Sequence, residues 1–284
     1  MTDTLVSFSA AMAKLSTHPL IVAHRGDWRS LPENSIAAMR SARDLGADMV
    51  EIDAQTISDG TLVVIHDDTL DRTTQTAGSV AALHPAVLSD LRLRAGAGGD
   101  EAPLTAHSLP TLEQMLAALR GEVLVNIDTK HAHDLDAVAA LVLSMGMQDQ
   151  VLLKMSVTQP GDFTDAPWFG QVPFMPLCMG LPKGALIDTI LPIVQATHAP
   201  LVELDFQDLA EVAVLAEALR PLGTGLWVNT LDPVHSLELN DSRALQDPSK
   251  VWGVLLDAGV RAIQTDRVEA LARHLARASA GAPA

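Results

Sequence analysis

The strongest constraint on this chain is a serial alternation of short β-branched runs with longer amphipathic stretches. Strands are expected at Leu20 to Ala23, Met49 to Ala54, Leu62 to Ile65, Val123 to Asp128, Val151 to Met155, Val172 to Leu177, Leu201 to Phe206, Gly225 to Asn229 and Arg261 to Gln264. Helical periodicity lies between most of them, at Glu33 to Leu45, Leu112 to Leu119, Leu135 to Met145, Ala185 to Thr197, Leu209 to Leu219, Val251 to Ala258 and Val268 to Arg277. Gly46, Gly146 and Gly259 stand where such helices should stop. Strand–helix units in series bury both sheet faces only as a parallel sheet covered by helices. Eight units in 284 residues fit a closed barrel, which typically takes roughly 250 residues. The expectation is an α/β fold, a TIM (β/α)8 barrel over residues 1–284 as a single domain. An open doubly wound sheet is the rival, but no Gly-x-Gly-x-x-Gly follows the first strand, so its dinucleotide-binding version has no support.

One stretch breaks the rhythm. Residues 67–108 are too many for an ordinary β/α loop and hold only a weak helical segment, Ala86 to Leu93, and a loose Ala95-Gly96-Ala97-Gly98-Gly99-Asp100. They are expected to form a small insertion after the second strand, on the face that carries the chemistry.

Composition removes several functions. Thirty-five acidic against 19 basic residues give a net charge of -16, which repels nucleic acid and anionic membrane surfaces. No apolar run reaches the roughly 18 residues of a membrane span, so no stable membrane insertion is expected. Met1 to Ser16 has Leu5, Phe8, Met12 and Leu15 at helical spacing without a basic start, and reads as a docking helix rather than an export signal. A single cysteine, Cys178 in an apolar run, excludes an internal disulfide and suits a cytoplasmic protein.

The chemistry-bearing residues gather at strand ends. His24 and Arg25 close the first strand, and His66 follows Leu62-Val63-Val64-Ile65, which places both histidines on the C-terminal rim where barrels build active sites. Leu31-Pro32-Glu33-Asn34-Ser35 is expected to cap the first helix. Glu51 and Asp53, two apart on a strand, point to one face, where they repel each other and lose solvation unless a cation joins them. Asn126, Asp128 and Lys130 repeat the spacing on the third strand, so Asp128 is a candidate third oxygen donor and Lys130 a candidate phosphate holder or an ion-pair partner of Asp128. Two imidazoles flanking a cation-bound phosphate can divide proton removal from proton delivery. Arg25 and Arg72 supply further positive charge.

This pattern resembles the glycerophosphodiester phosphodiesterase family. The likeness runs through His24-Arg25-Gly26, Pro32-Glu33-Asn34-Ser35, Glu51-Ile52-Asp53, His66-Asp67, Leu70-Asp71-Arg72-Thr73-Thr74, Leu109-Pro110-Thr111-Leu112-Glu113, Asn126-Ile127-Asp128-Thr129-Lys130, Trp227-Val228-Asn229 and Gly259-Val260 to Thr265-Asp266. The resemblance implies a TIM barrel with an insertion after the second strand and one divalent cation, Mg²⁺ or Ca²⁺. It implies Glu51, Asp53 and Asp128 as ligands, His24 and His66 as the acid–base pair, and Arg25 and Lys130 as phosphate holders. The implied reaction is hydrolysis of glycerophosphodiesters to glycerol 3-phosphate and an alcohol. A phospholipase D-like release of the alcohol with a cyclic phosphate product is the alternative reaction, and a phosphate-ester-binding barrel without turnover the alternative class. Two departures stand out: Asp128 replaces the family's usual glutamate, and Leu153-Lys154-Met155-Ser156 replaces its usual run into Ser-Phe.

Weaker candidates complete the set. Lys154 either meets the phosphate or pairs with a nearby acid. Trp227 either walls the alcohol pocket or packs in the core, and Asn229 is a candidate hydrogen-bond donor to substrate. Glu203 and Asp205 share a face on the sixth strand, so one of them is a candidate to reach the metal site or orient a lysine, with a simple rim charge the alternative. His131 and His133 read as surface residues, and Asp266 as a cap of the last helix.

Overall fold

Eight parallel strands pair in chain order and close on themselves in the computed structural model, which describes residues 6–279. They are β1 (Leu20–His24), β2 (Met49–Thr56), β3 (Leu124–Thr129), β4 (Val151–Ser156), β5 (Phe174–Cys178), β6 (Leu201–Leu204), β7 (Gly225–Asn229) and β8 (Val260–Thr265). Closure is read at Val22, whose register partners are Met49 on β2 and Gln264 on β8. The ninth expected strand is not a barrel stave. Leu62–Val64 folds back antiparallel on β2, with Ala54 opposite Val64. His66 therefore reaches the rim by descending from above, whereas His24 arrives by climbing β1.

Amphipathic helices cover the outside. Leu112–Leu119 and Leu209–Leu219 form on the expected bounds. The helix expected from Glu33 is shorter, Ile36–Asp44, because Ser35 in extended conformation caps it through the Ala38 N–H. The segment expected to be helical at Ala86 to Leu93 instead makes a short 3₁₀ turn, Pro85–Asp90, and a strand, Arg92–Arg94, that pairs with Leu104–Ser108. Its leucines serve a small local core in which Leu70, Val80, Leu91 and Leu93 meet Val63 and Ile65 beside β2.

The barrel interior is divided by height. Inward positions alternate along each strand, so one polar residue two places after an apolar one lifts the polar layer by about 7 Å. Met49 precedes Glu51 and Asp53, Leu124 precedes Asn126 and Asp128, and Leu152 precedes Lys154. Leu201 precedes Glu203, Trp227 precedes Asn229, and Ala262 precedes Gln264. The apolar members, with Leu20, Val22 and Met175, pack together and are floored by Phe8 and Leu15. Phe8 begins a helix, Phe8–Met12, capped by Ser7 and tied by that hydroxyl to Asp149. The N-terminal docking helix is thus seen over these residues, while Leu5 lies outside the described ones. No helix among the described residues is long and apolar enough to cross a membrane.

Candidate active site

Glu51, Asp53 and Asp128 converge because of strand register. Asp53 lies opposite Asp128, and His24 lies opposite Glu51. One carboxylate oxygen from each of the three acids lies within 4.8 Å of the other two. Glu51 and Asp53 are buried and Asp128 is partly open. An all-oxygen, anionic donor set of this size fits a hard divalent cation, which takes carboxylates from about 2.0 to 2.6 Å.

The surroundings treat the two buried acids oppositely. Burial, then the neighbouring charge of Asp53, pushes Glu51 up to about 7 despite Lys154 and His24. Burial would raise Asp53 too, but Arg25, Lys130, His66 and the Asn34 amide outweigh it and hold it at about 2. The Asn34 side chain donates to Asp53 Oδ2 at 2.8 Å. Asn34 sits in the left-handed region at φ 57°, beside Arg25 at φ 53°. Their backbones meet, Asn34 N–H donating to Arg25 O at 3.1 Å. Strained backbone of this kind survives only where the surroundings over-determine it.

Each histidine has its own carboxylate. His24 Nδ1 lies 2.9 Å from Asp266 Oδ1, and the same oxygen accepts from Trp28 Nε1 at 2.7 Å. Burial opposes protonation of His24, but the bond to Asp266 and the charge of Glu51 outweigh it and hold its pKa above the usual imidazole value. His66 Nδ1 lies 2.7 Å from Asp67 Oδ1. A carboxylate acceptor keeps the proton on Nδ1 and leaves Nε2 as the working nitrogen. Asp266 therefore spends its side chain on His24 and Trp28 rather than on the expected cap of the last helix.

The basic residues separate into those with donors to spare and those without. Arg25 Nη1 reaches Glu33 and Nε reaches Asp53, both at 3.3 Å, while Nη2 has no protein partner among the described residues. Lys130 Nζ lies 3.4 Å from Asp53 and keeps donors free. Arg72 has none left: its five N–H groups go to both oxygens of Asp67, both of Glu33 and the Ala97 carbonyl. The Arg72 hydrogen bonds, with help from His66, hold the Asp67 carboxyl well below the usual range against burial. Gly98 sits on this clamp at φ +74°, and a Cβ there would fall 2.2 Å from the Arg72 carbonyl oxygen.

Lys154 points into the acids, not into an open pocket. It is 3% exposed, with Nζ 3.2 Å from Glu203, 3.4 Å from Asp128 and 3.9 Å from Glu51. Of its two expected roles, geometry favours the partner of nearby acids. Trp227 is 0% exposed, its Nε1 donating to Asn229 and Gln264 at 3.0 and 3.2 Å; it belongs to the barrel floor, not to a pocket wall. Asn229 is buried and donates to Glu203 at 2.8 Å, so its amide is engaged within the protein. Asp205 falls beyond β6 and accepts from the Gly180 N–H. His131 pairs with Asp68 at 3.2 Å and stacks on His133, outside the acid cluster.

Glu33, Asn34, Asp67 and Arg72 lie within the sequence motifs, but their spacing alone assigns them none of these contacts. Within Pro32-Glu33-Asn34-Ser35 the cap falls to Ser35, while Glu33 and Asn34 turn inward to the site. Only a four-residue motif with more polar groups than one cap needs could have signalled them.

The fold and site together define a (β/α)8 barrel with a cation-type acid cluster and two carboxylate-supported histidines at its rim. Residues 24–164 match the model of the glycerophosphoryl diester phosphodiesterase family, and residues 174–275 match a family described only as a domain of unknown function. A glycerophosphodiester phosphodiesterase from Caldanaerobacter subterraneus is 38% identical over 135 residues, which is 47% of this chain and 51% of that protein. The matched segment thus spans about half the length of that relative. Among solved structures, a glycerophosphodiester phosphodiesterase from Agrobacterium tumefaciens is 27% identical over 90% of this chain and 99% of that one, with a TM-score of 0.68. An Oleispira antarctica phosphodiesterase, in complex with the product sn-glycerol-3-phosphate, covers 92% of this chain and 98% of its own at 20% identity and a TM-score of 0.64. The chain belongs to the glycerophosphoryl diester phosphodiesterase family.

Proposed function

We propose that this barrel, with segment 67–108 as part of its catalytic face, hydrolyses glycerophosphodiesters such as glycerophosphocholine to glycerol 3-phosphate and an alcohol. The carrying observation is the trio of Glu51, Asp53 and Asp128 set between two histidines that each lean on a carboxylate. A divalent cation held by those three acids, Mg²⁺ or Ca²⁺, supplies neutralisation of charge that builds on the phosphoryl oxygens. Arg25 and Lys130 offer their spare donors to the non-bridging oxygens, a cationic clamp of the kind that stabilises phosphoryl transition states. One imidazole takes a proton from the nucleophile and the other gives a proton to the departing alcohol oxygen; water as nucleophile forms glycerol 3-phosphate directly, whereas a substrate hydroxyl forms a cyclic phosphate that a second attack, by water, opens to glycerol 3-phosphate. Asp67 and Asp266 hold the two rings for this work. Family membership and the product named in the Oleispira complex support the same substrate class. With its one cysteine buried and free, the chain suits a reducing compartment, the cytoplasm.

The test follows phosphorus by NMR during turnover of glycerophosphocholine by wild type, His24→Ala and His66→Ala. Glycerol 3-phosphate as the first product, a bell-shaped pH–rate profile, and loss of roughly 10²–10⁴-fold in each variant are expected. A cyclic phosphate that accumulates would replace hydrolysis by alcohol release, and near-normal turnover in either variant would remove that histidine from the reaction.

A further inference from the structure

Lys154 is a charged group that the reaction above leaves without a task. A lysine buried to this degree needs counter-charge, and one carboxylate would suffice. Lys154 has three, from β2, β3 and β6, at 3.9, 3.4 and 3.2 Å. Two of them, Glu51 and Asp128, belong to the acid trio that fits a cation. The third, Glu203, does not. Its Oε1 accepts from Asn229, while its Oε2 is buried and accepts no hydrogen bond, facing only the ammonium. Arg25 and Lys130 approach from the other side, through Asp53. Two-metal phosphoesterases likewise share carboxylates between two neighbouring cations, about 3.5–4 Å apart, that clamp the ester.

We infer that the Lys154 ammonium is the second cation of a two-cation centre, tethered by its side chain at the position among Glu51, Asp128 and Glu203 that a second divalent ion would otherwise fill. The chain is thereby limited to one exchangeable ion. This rests on the proposal that Glu51, Asp53 and Asp128 hold a cation. Glu203, outside that trio, is the residue that positions Lys154. Asp128 on β3 and Lys154 on β4 are register neighbours, so the short acid and the long base meet across one strand step, 3.4 Å apart.

The experiment counts Mn²⁺ ions on the full chain by calorimetry and reads their environment by electron paramagnetic resonance, without any turnover assay. Wild type is expected to bind one ion per chain with the spectrum of an isolated ion. Lys154→Met, similar in length and uncharged, is expected to bind two, with a spin-coupled spectrum. Lys154→Met with Glu203→Gln is expected to return to one. Should Lys154→Met not fold, Lys154→Cys on a Cys178→Ala background gives the same comparison, since aminoethylation restores an ammonium there and is expected to restore single-ion binding. One ion in wild type and one in the folded charge-removed variant overturns this inference and leaves the proposed cation site standing. No ion in wild type overturns both.

Discussion

His24 and His66 differ from ordinary rim histidines in what stands behind them. Each has an acceptor at Nδ1, and that of His24 is itself fixed by the Trp28 indole and by the Asp266 N–H bonding to Asp241. Asp266→Asn removes the charge and leaves the volume. Its kcat is expected to fall roughly 10–100-fold, as for other groups that orient a reactive histidine, with KM little changed in steady-state kinetics. A normal kcat would assign Asp266 to packing alone. Glu51 gives a second residue-level expectation. Its carboxyl, raised to about 7 in the ion-free chain, carries a proton below that pH which a cation must displace. Affinity for Mg²⁺ or Ca²⁺ should therefore tighten as pH rises, by about tenfold per unit below 7, and level off above it. Calorimetry in two buffers of different ionisation enthalpy should show a proton released per ion on the acid side. An affinity independent of pH there contradicts the raised Glu51 carboxyl.

At the scale of elements, the ends of β7 and β8 are joined by one acid. Asp241, at the start of the short helix Asp241–Ala244, accepts from the hydroxyls of Thr230 and Thr265 and from the Asp266 N–H. Burial, only partly offset by these bonds, pushes its carboxyl up to about 6. The folded chain therefore holds this proton more tightly than the unfolded chain. The resulting stability is full below the unfolded pKa near 4 and is lost as pH rises through about 6, on the order of 2–3 kcal/mol. Asp241→Asn has no proton to lose, so it should gain on wild type by that amount between pH 4 and 7 in urea unfolding. Parallel curves would deny the shift. Elements were legible where period and packing agreed: Leu209–Leu219 was expected from its stripe and forms on it. They were not legible where a local core set the conformation, as at Pro85–Asp90, or where polar residues left a helix pattern for the site, as Glu33 and Asn34 do. The Leu62–Val64 strand was visible as a strand, but its antiparallel direction depends on a short turn after β2 that apolar pattern does not encode.

Across the whole molecule, the barrel works as a graded column. Apolar side chains floored by Phe8 and Leu15 form its base, a ring of engaged polar groups lies above them, and the acid trio and histidines stand at the rim. The trio was legible because two-residue spacing on apolar strands forces carboxylates to one face. Trp227 and Lys154 were not, because the height of an inward residue in the column depends on strand stagger, which appears only on closure. That column makes one claim above all, that Glu51, Asp53 and Asp128 share an ion without which the ester is not cleaved. The direct measurement is glycerophosphocholine turnover by chelator-treated protein, alone and with Mg²⁺ or Ca²⁺ restored, beside Asp53→Asn. Silence without metal, recovery with one of the two ions, and little recovery in the variant are expected. Full turnover in excess chelator would contradict the account.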